Sequence, residues 1–243
     1  MVDGGTKDEN INTGIVQISA EFKAAVSVDC VIFGYNEDDL KVLLLRSDMP
    51  PYQGCYSLLG DLLRPDENTN ASAMRIVEKH TGLIGLFMEQ VCAFSDVDRH
   101  PLGRVVTIAY YSLLELDDAM VRIVSDHPNL KWESIGAIDR LAFDHKQILD
   151  KCLDTLRLGL RDRPIGFNLL PQKFTLKQLQ NLYEKVLNIE VDRRNFRRKL
   201  KSLDVLVDVN ENQKDVHHRP AKLYTFDENK FLKKKQKGFS FEL

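Results

Sequence analysis

Cysteine is scarce and scattered in this chain. Cys30, Cys55, Cys92 and Cys152 form no C-x-x-C pair and have no histidine at zinc spacing, which argues against a zinc finger and a disulfide framework. Cys30 and Cys92 stand inside apolar runs and are expected as small core residues. No apolar run approaches the ~18 residues that a membrane-spanning helix needs. The start, MVDGGTKDENINTG, lacks the basic and apolar order of a signal peptide, so a cytoplasmic protein is expected, disordered up to about Val16. There is no internal repeat, and the KKKQK tail is the only low-complexity stretch. Acid is missing from one place in a chain otherwise rich in it. Between Arg193 and Lys201 stand six basic residues and no Asp or Glu.

That gap belongs to a wider asymmetry. Residues 161–243 hold 19 Lys+Arg against 11 Asp+Glu, a net of +8, while the rest of the chain is at −10. An acidic domain joined to a basic nucleic-acid-binding one is the arrangement this split suggests. The 243 residues and 43% hydrophobic content suffice for one large or two modest cores.

The basic half is patterned. Thr175-Leu176-Lys177-Gln178 fits a capping box, and Leu176, Leu179, Leu182, Tyr183 and Val186 recur at helical spacing behind it. After a break at residues 188–191, Asp192 caps a second helix, DRRNFRRKLKSL. On that helix Phe196, Leu200 and Leu203 share one narrow side. Arg194, Asn195 and Arg198 lie nearly opposite, and Arg193, Arg197, Lys199 and Lys201 fill the flanks. Like charges this close repel, and a polyanion relieves the repulsion. Residues 205–209 and 221–226 read as strands around a polar turn that ends His217-His218-Arg219-Pro220. Two helices and a basic hairpin make a winged helix-turn-helix, with the helix in the major groove and the wing on the backbone or minor groove. Thr175, Lys177, Arg193, Arg194, Asn195, Arg197, Arg198, Lys199, Lys201, His218 and Arg219 are the expected DNA contacts.

The acidic half reads as a mixed sheet with a few helices. Strands are expected at 24–34, 40–45, 56–59, 88–94, 105–114 and around Trp132, and helices at 70–81 and 145–160. The first helix stops at Gly82, and RDRPIG marks a domain boundary.

One segment says more. LLGDLLRPDENTNASAMRIVEKHTGL resembles the Nudix box, G-x5-E-x7-R-E-U-x-E-E-x-G-U, where U is aliphatic. Glu67, Arg75, Val77, Gly82 and Leu83 match it, while the leading glycine is Asp61. Nudix hydrolases hold Mg²⁺ or Mn²⁺ on the glutamates of this helix, and hard cations need oxygen ligands. Those three places carry Ile76, Lys79 and His80. The resemblance therefore implies a Nudix fold without hydrolysis: no catalytic residue, no metal and no cofactor. Glu67 and Arg75 remain as a structural pair.

With both halves in view, the chain over roughly residues 25–230 resembles the Nudix-related transcriptional regulators. DVDRHPLGRVVTIAYY looks like their sensor half, and FNLLPQKFTLKQLQNLYEKVL, DRRNFRRKL and RPAKLYTF look like their DNA-binding half. The implied fold class is α/β (α+β): a Nudix-like mixed-sheet domain followed by a winged helix. The expected organisation is a tail at 1–21, a sensor at 22–160, a linker at 161–166, the winged helix at 167–232 and a basic tail at 233–243. The family implies a homodimer on a palindromic operator. One of its branches responds to ADP-ribose and controls NAD biosynthesis, and another responds to L-arabinose and controls sugar use. A diphosphate would call on Arg46, Arg99, Arg104 and Lys79. A pentose would call on Asp61, Asp96, Asp98 and Arg104. The acidic balance and Asp61 favour the sugar, so Arg46, Asp61, Asp96, Asp98 and Arg104 are the expected effector contacts. Two other readings stand beside this one: an active Nudix hydrolase, which has the fold but lacks the carboxylates, and an RNA-binding or scaffold protein that uses the basic half.

Overall fold

The computed structural model describes residues 23–36, 39–48, 50–101, 103–117, 120–121, 124, 126–162, 170–214 and 219–235. The expected N-terminal tail and His217-His218 lie outside them. The acidic half is built on strand β1 (Ala25–Tyr35), a β-branched and apolar run buried along most of its length. β2 (Leu40–Arg46), β3 (Tyr56–Ser57), β4 (Leu59–Leu62), β5 (Glu89–Phe94), β6 (Val105–Glu115) and β7 (Leu130–Ser134) complete a seven-stranded sheet. β1 runs parallel to β6, from Ala25↔Val105 to Tyr35↔Glu115, and antiparallel to β2 and β4, so the sheet is mixed as expected.

Alternation along β1 assigns its two faces. Val28, Cys30 and Ile32 pack with Ala73, Ile76 and Val77 of helix α1 (Thr69–Thr81). Val31, Phe33 and Tyr35 pack with Ile148, Leu149, Cys152, Leu153, Leu156 and Leu160 of helix α2 (His145–Asp162). Asn68 caps α1 by accepting from Ala71 N at 2.9 Å, and Gly82 ends it at φ 71°, a conformation that favours glycine.

The basic half holds helix α3 (Leu176–Leu187), helix α4 (Arg193–Leu203), strands β8 (Leu206–Asn212) and β9 (Lys222–Phe226), and helix α5 (Glu228–Lys235). Both halves of the capping box are present: Gln178 N donates to Thr175 Oγ1 at 3.1 Å and Thr175 N to Gln178 Oε1 at 2.8 Å. Asn188 ends α3 in the left-handed conformation, and Asp192 caps α4 through Asn195 N at 2.8 Å. β8 and β9 pair antiparallel, and the backbone of Phe174 adds a bridge to Tyr224.

Several boundaries differ from expectation. Residues 59–62 form a separate strand, and the stretch around Trp132 is β7 followed by a 3-10 turn, Ile135–Ala137. α2 continues to Asp162, into the expected linker. β8 extends to Asn212, with a register shift between Asp208 and Asn212. The expected basic tail begins inside α5, whose Phe231 is buried against Phe226 with ring centroids 5.9 Å apart. Asp227 starts that helix by accepting from Lys230 N at 3.0 Å, so lysines that look like a solvated tail in sequence stand on a helix seated by one aromatic ring.

The two halves share one core. A single cluster of buried side chains runs from Val31 and Phe33 through α2 to Leu179, Leu182, Tyr183, Phe196, Leu200 and Phe231. Arg157 of α2 donates through Nε to the Val186 carbonyl of α3 at 2.9 Å, and Gln178 Nε2 donates to Glu115 of β6 at 3.0 Å.

Candidate functional site

On α4 the helical pattern sorts the side chains as periodicity requires. Phe196, Leu200 and Leu203 are buried, and Phe196 meets Tyr183 edge-on at 5.8 Å. Arg193, Arg194, Asn195, Arg198, Lys199 and Lys201 are exposed, and Arg197 is half-buried. Arg198 Nη2 donates to Asn195 Oδ1 at 2.7 Å, which holds these two polar side chains side by side on the outer face. Lys177, at the start of α3, and Arg219, before β9, are exposed too. Thr175 is 2% exposed and its hydroxyl is engaged in the cap, because N-cap geometry turns that oxygen back toward its own helix. On the wing, Lys222 pairs with Asp208 and Lys173 with Glu211, each at 2.7 Å.

The Nudix-like box sits on β4 and α1. Arg75 donates to Glu67 through Nε at 2.8 Å and through Nη2 at 2.6 Å, and Glu67 also accepts from Arg64 N at 3.0 Å. The hydrogen bonds from Arg75 hold the Glu67 carboxyl down to about 2. This clamp ties the loop to the helix. Asp61 lies in β4 and accepts from Arg75 Nη1 at 3.0 Å, with Lys79 Nζ 3.5 Å away. Ile76 is 0% exposed, within the core. Burial, followed by the nearby Lys79 charge, lowers the His80 pKa. A divalent cation does not fit these residues: one position is aliphatic and buried, and the ammonium of Lys79 already faces the Asp61 carboxylate. Among the described residues no three His, Cys, Asp or Glu side chains are grouped closely enough to hold a metal ion.

The 95–104 loop supplies a different kind of group from the one expected. Arg99 is no exposed cation: its side chain is 2% exposed. Its Nε and Nη2 donate to Asp144 at 2.8 and 2.7 Å, and its Nη1 donates to Thr107 at 2.5 Å. Asp29 of β1 is 3.9 Å from Arg99 and 3.6 Å from His145 Nε2. Leu58 N donates to His145 Nδ1 at 2.9 Å, so the ring is neutral with its proton on Nε2, in keeping with burial lowering its pKa. Gly60 faces this cluster, and a Cβ there would stand 2.0 Å from Asp29 Oδ1. Arg104 braces the same loop by donating to the Ser95 and Asp96 carbonyls at 2.6 and 3.2 Å. Asp96 and Asp98 are exposed on it.

Beside the network lies a half-buried aromatic group that sequence patterns did not reveal. Phe143 stacks on His100 at 5.0 Å and meets Tyr52 at 4.5 Å. Phe143 has φ 54°, a strained value for a non-glycine residue. Arg46 is exposed nearby, its guanidinium reaching Gly54 two residues from Tyr52. Two of the expected effector contacts are thereby committed, Asp61 to Arg75 and Lys79 and Arg104 to carbonyls, and Arg99, named for a diphosphate, is drawn into the interior.

No helix among the described residues is long and apolar enough to cross a membrane. The family model for the NrtR DNA-binding winged helix domain matches residues 166–226. The ADPR responsive transcriptional repressor NtrR of Acinetobacter baylyi is 30% identical over 205 residues, which span 83% of this chain and 81% of that protein. The ADP-ribose pyrophosphatase of Methanocaldococcus jannaschii is 29% identical over 125 residues, 51% of this chain and 70% of that one. In three dimensions, Shewanella oneidensis NrtR complexed with a 27mer DNA superposes with a TM-score of 0.73 at 26% identity, covering 89% of this chain and 97% of that one. The likeness runs through both halves, and not through the sensor sheet alone: the chain belongs to the Nudix-related transcriptional regulators of the NrtR type, with a DNA-binding winged helix and a Nudix-like sensor.

Proposed function

We propose that this regulator is a repressor that responds to ADP-ribose and reads a palindromic operator as a homodimer through α4. The observation that carries the effector assignment is the kinship over four-fifths of its length with a repressor described as ADPR responsive. The chemistry of the sensor half agrees. Asp61, which argued for a sugar, is already neutralised by Arg75 and Lys79, so its oxygens are poor acceptors for sugar hydroxyls. The net charge of a domain says little about one pocket. Arg46, exposed with its guanidinium near Gly54, is a cation open to a diphosphate. In this reading ADP-ribose is bound and not hydrolysed, since the positions that would carry metal ligands hold Ile76, Lys79 and His80.

The test is fluorescence anisotropy of operator DNA, with a thermal-shift measurement on the same protein. ADP-ribose at about 100 times its Kd should stabilise the protein by about 2.7 kcal/mol. It should also change operator affinity and be recovered intact after incubation with Mg²⁺. L-Arabinose should do neither. A thermal shift with L-arabinose and none with ADP-ribose would reverse the effector assignment.

The same assay separates readers from anchors on α4. Arg194, Asn195 and Arg198 lie opposite the buried side and reach base edges, where arginine takes guanine O6 and N7 and asparagine takes adenine N6 and N7. Arg193, Arg197, Lys199 and Lys201, with Lys177 and Arg219, meet phosphates, which carry no sequence information. Arg198→Ala is expected to cost roughly 1–3 kcal/mol and to relax preference at one operator position. Lys201→Ala should weaken operator and random DNA about equally and reduce the salt slope by about 1. Uniform loss in both variants, with preference unchanged, would remove the base-reading role from Arg198.

A further inference from the structure

Between the ends of β1 and β6 and the winged helix lies a cleft of about 870 Å³. It is separate from the Nudix-like box and from the Arg99 network. Tyr35 comes from β1 and Glu115 from β6; Lys177 comes from α3, Arg193 and Arg197 from α4, and Arg219 from the residues before β9. The lining carries five basic side chains and one carboxylate, Glu115, to which Gln178 Nε2 donates at 3.0 Å.

Two donors in this lining have nothing to donate to. Tyr35 is 1% exposed, and its hydroxyl has no hydrogen-bond partner among the described residues. Arg197 Nε is buried and unpartnered in the same way. Buried donors in native proteins are nearly always paired, and an exception calls for an explanation. Burial, with Glu115 as a second cause, holds the Tyr35 phenol above its usual range, so it stays an O–H donor. Two unmet donors, each covered in the unliganded protein and carried by side chains that wall a cleft with surplus positive charge, suit an acceptor that is itself negative, offers several oxygens and is reached by a small movement of those side chains.

We propose that this cleft binds a phosphate group, with the Tyr35 hydroxyl and Arg197 Nε donating to its oxygens. One donor stands on the sensor sheet and the other on the DNA-facing helix, so a phosphate held by both couples the two halves. The group is either a backbone phosphate of bound DNA or part of a small phosphorylated ligand. The DNA source rests on the groove placement of α4 proposed above, and the site itself does not.

Tyr35→Phe removes one atom and leaves the packing. Because the lost hydroxyl is unmet in the unliganded protein, the variant should melt at the wild-type temperature or above in phosphate-free buffer. Two probes are then titrated into the full-length wild type, Tyr35→Phe and Arg197→Lys: sodium pyrophosphate by calorimetry, and a random-sequence DNA duplex by anisotropy. A hydrogen bond to a charged group corresponds to about a tenfold loss of affinity. A tenfold weaker duplex, with no pyrophosphate bound by any variant, assigns the site to the DNA backbone. A tenfold weaker pyrophosphate, with the duplex unchanged, assigns it to a free phosphorylated ligand. Weakening of both assigns it to either source. Wild-type affinity of Tyr35→Phe for both probes overturns the proposal. Arg198 is not part of the cleft lining, so failure of its base-reading role leaves these outcomes untouched.

Discussion

Arg99→Ala should destabilise the protein by about 3–5 kcal/mol, the loss seen when one partner of a buried ion pair is removed. The Arg99 side chain is 2% exposed and lies 2.7 Å from Asp144 and 3.9 Å from Asp29, the one arginine or lysine among the described residues that pairs with both. Its removal leaves the buried Asp29 and the mostly buried Asp144 facing a neutral histidine without their cation. At roughly 2–4 °C per kcal/mol for a chain of this size, the melting temperature should fall by roughly 6–20 °C. Thermal and urea denaturation measure it, with Arg46→Ala as an exposed control expected near zero. The pH dependence has a definite sign. Burial, the largest cause, raises the Asp29 pKa above its ordinary 3.8, and Arg99 lowers it. Without Arg99 it rises further. Stability linked to a raised carboxyl is present below the unfolded value and is lost as pH rises through the folded one. The deficit of Arg99→Ala should therefore be smallest in acid and grow toward neutrality. A loss under about 1 kcal/mol at neutral pH would mean that water reaches and solvates the network.

Phe196→Ala is expected to cost a further large amount, about 3–5 kcal/mol for a fully buried aromatic. Phe196 is 1% exposed and meets Tyr183 at 5.8 Å. The more informative readout is cooperativity. Phe196 belongs to the same buried cluster as Val31, Phe33 and the inner face of α2. The sensor and the winged helix should therefore unfold in one transition in the wild type, and the variant's transition should move down as a whole. Circular dichroism follows the helices and fluorescence of Trp132, in β7, follows the sheet. Coincident curves from the two probes are the expected result. A variant whose helical signal melts early while Trp132 stays in place would show the two halves to be separate folding units joined by contact alone.

Much of the winged helix was legible because its causes are local. A capping box is written in four consecutive residues. The division of α4 into Phe196, Leu200 and Leu203 on one side and Arg194, Asn195 and Arg198 on the other follows from the helical period. The erosion of the Nudix-like box could be read directly, since a buried Ile76 or an ammonium at Lys79 fails as a ligand whatever the backbone does. α5 was missed because its seating rests on Phe231 reaching Phe226, while the rest of it reads as solvated lysine.

What depended on tertiary structure was the use of side chains whose partners are far away in sequence. Arg99 reads as a candidate effector contact, yet its partners stand 8 and 45 residues away and draw it into the interior. Asp61 reads as a sugar contact until Arg75, 14 residues on, takes its oxygen. Thr175 reads as an exposed helix start, and the fold buries it at 2% exposure. The sequence by itself determined two kinds of half, a mixed sheet with a box stripped of its carboxylates and a basic winged helix, because strand alternation, helical period and caps act within a few residues. Only the tertiary structure decided that α2 welds those halves through one core and that Tyr35 and Arg197 line one cleft, because burial and charge pairing act between residues that the chain brings together only by folding.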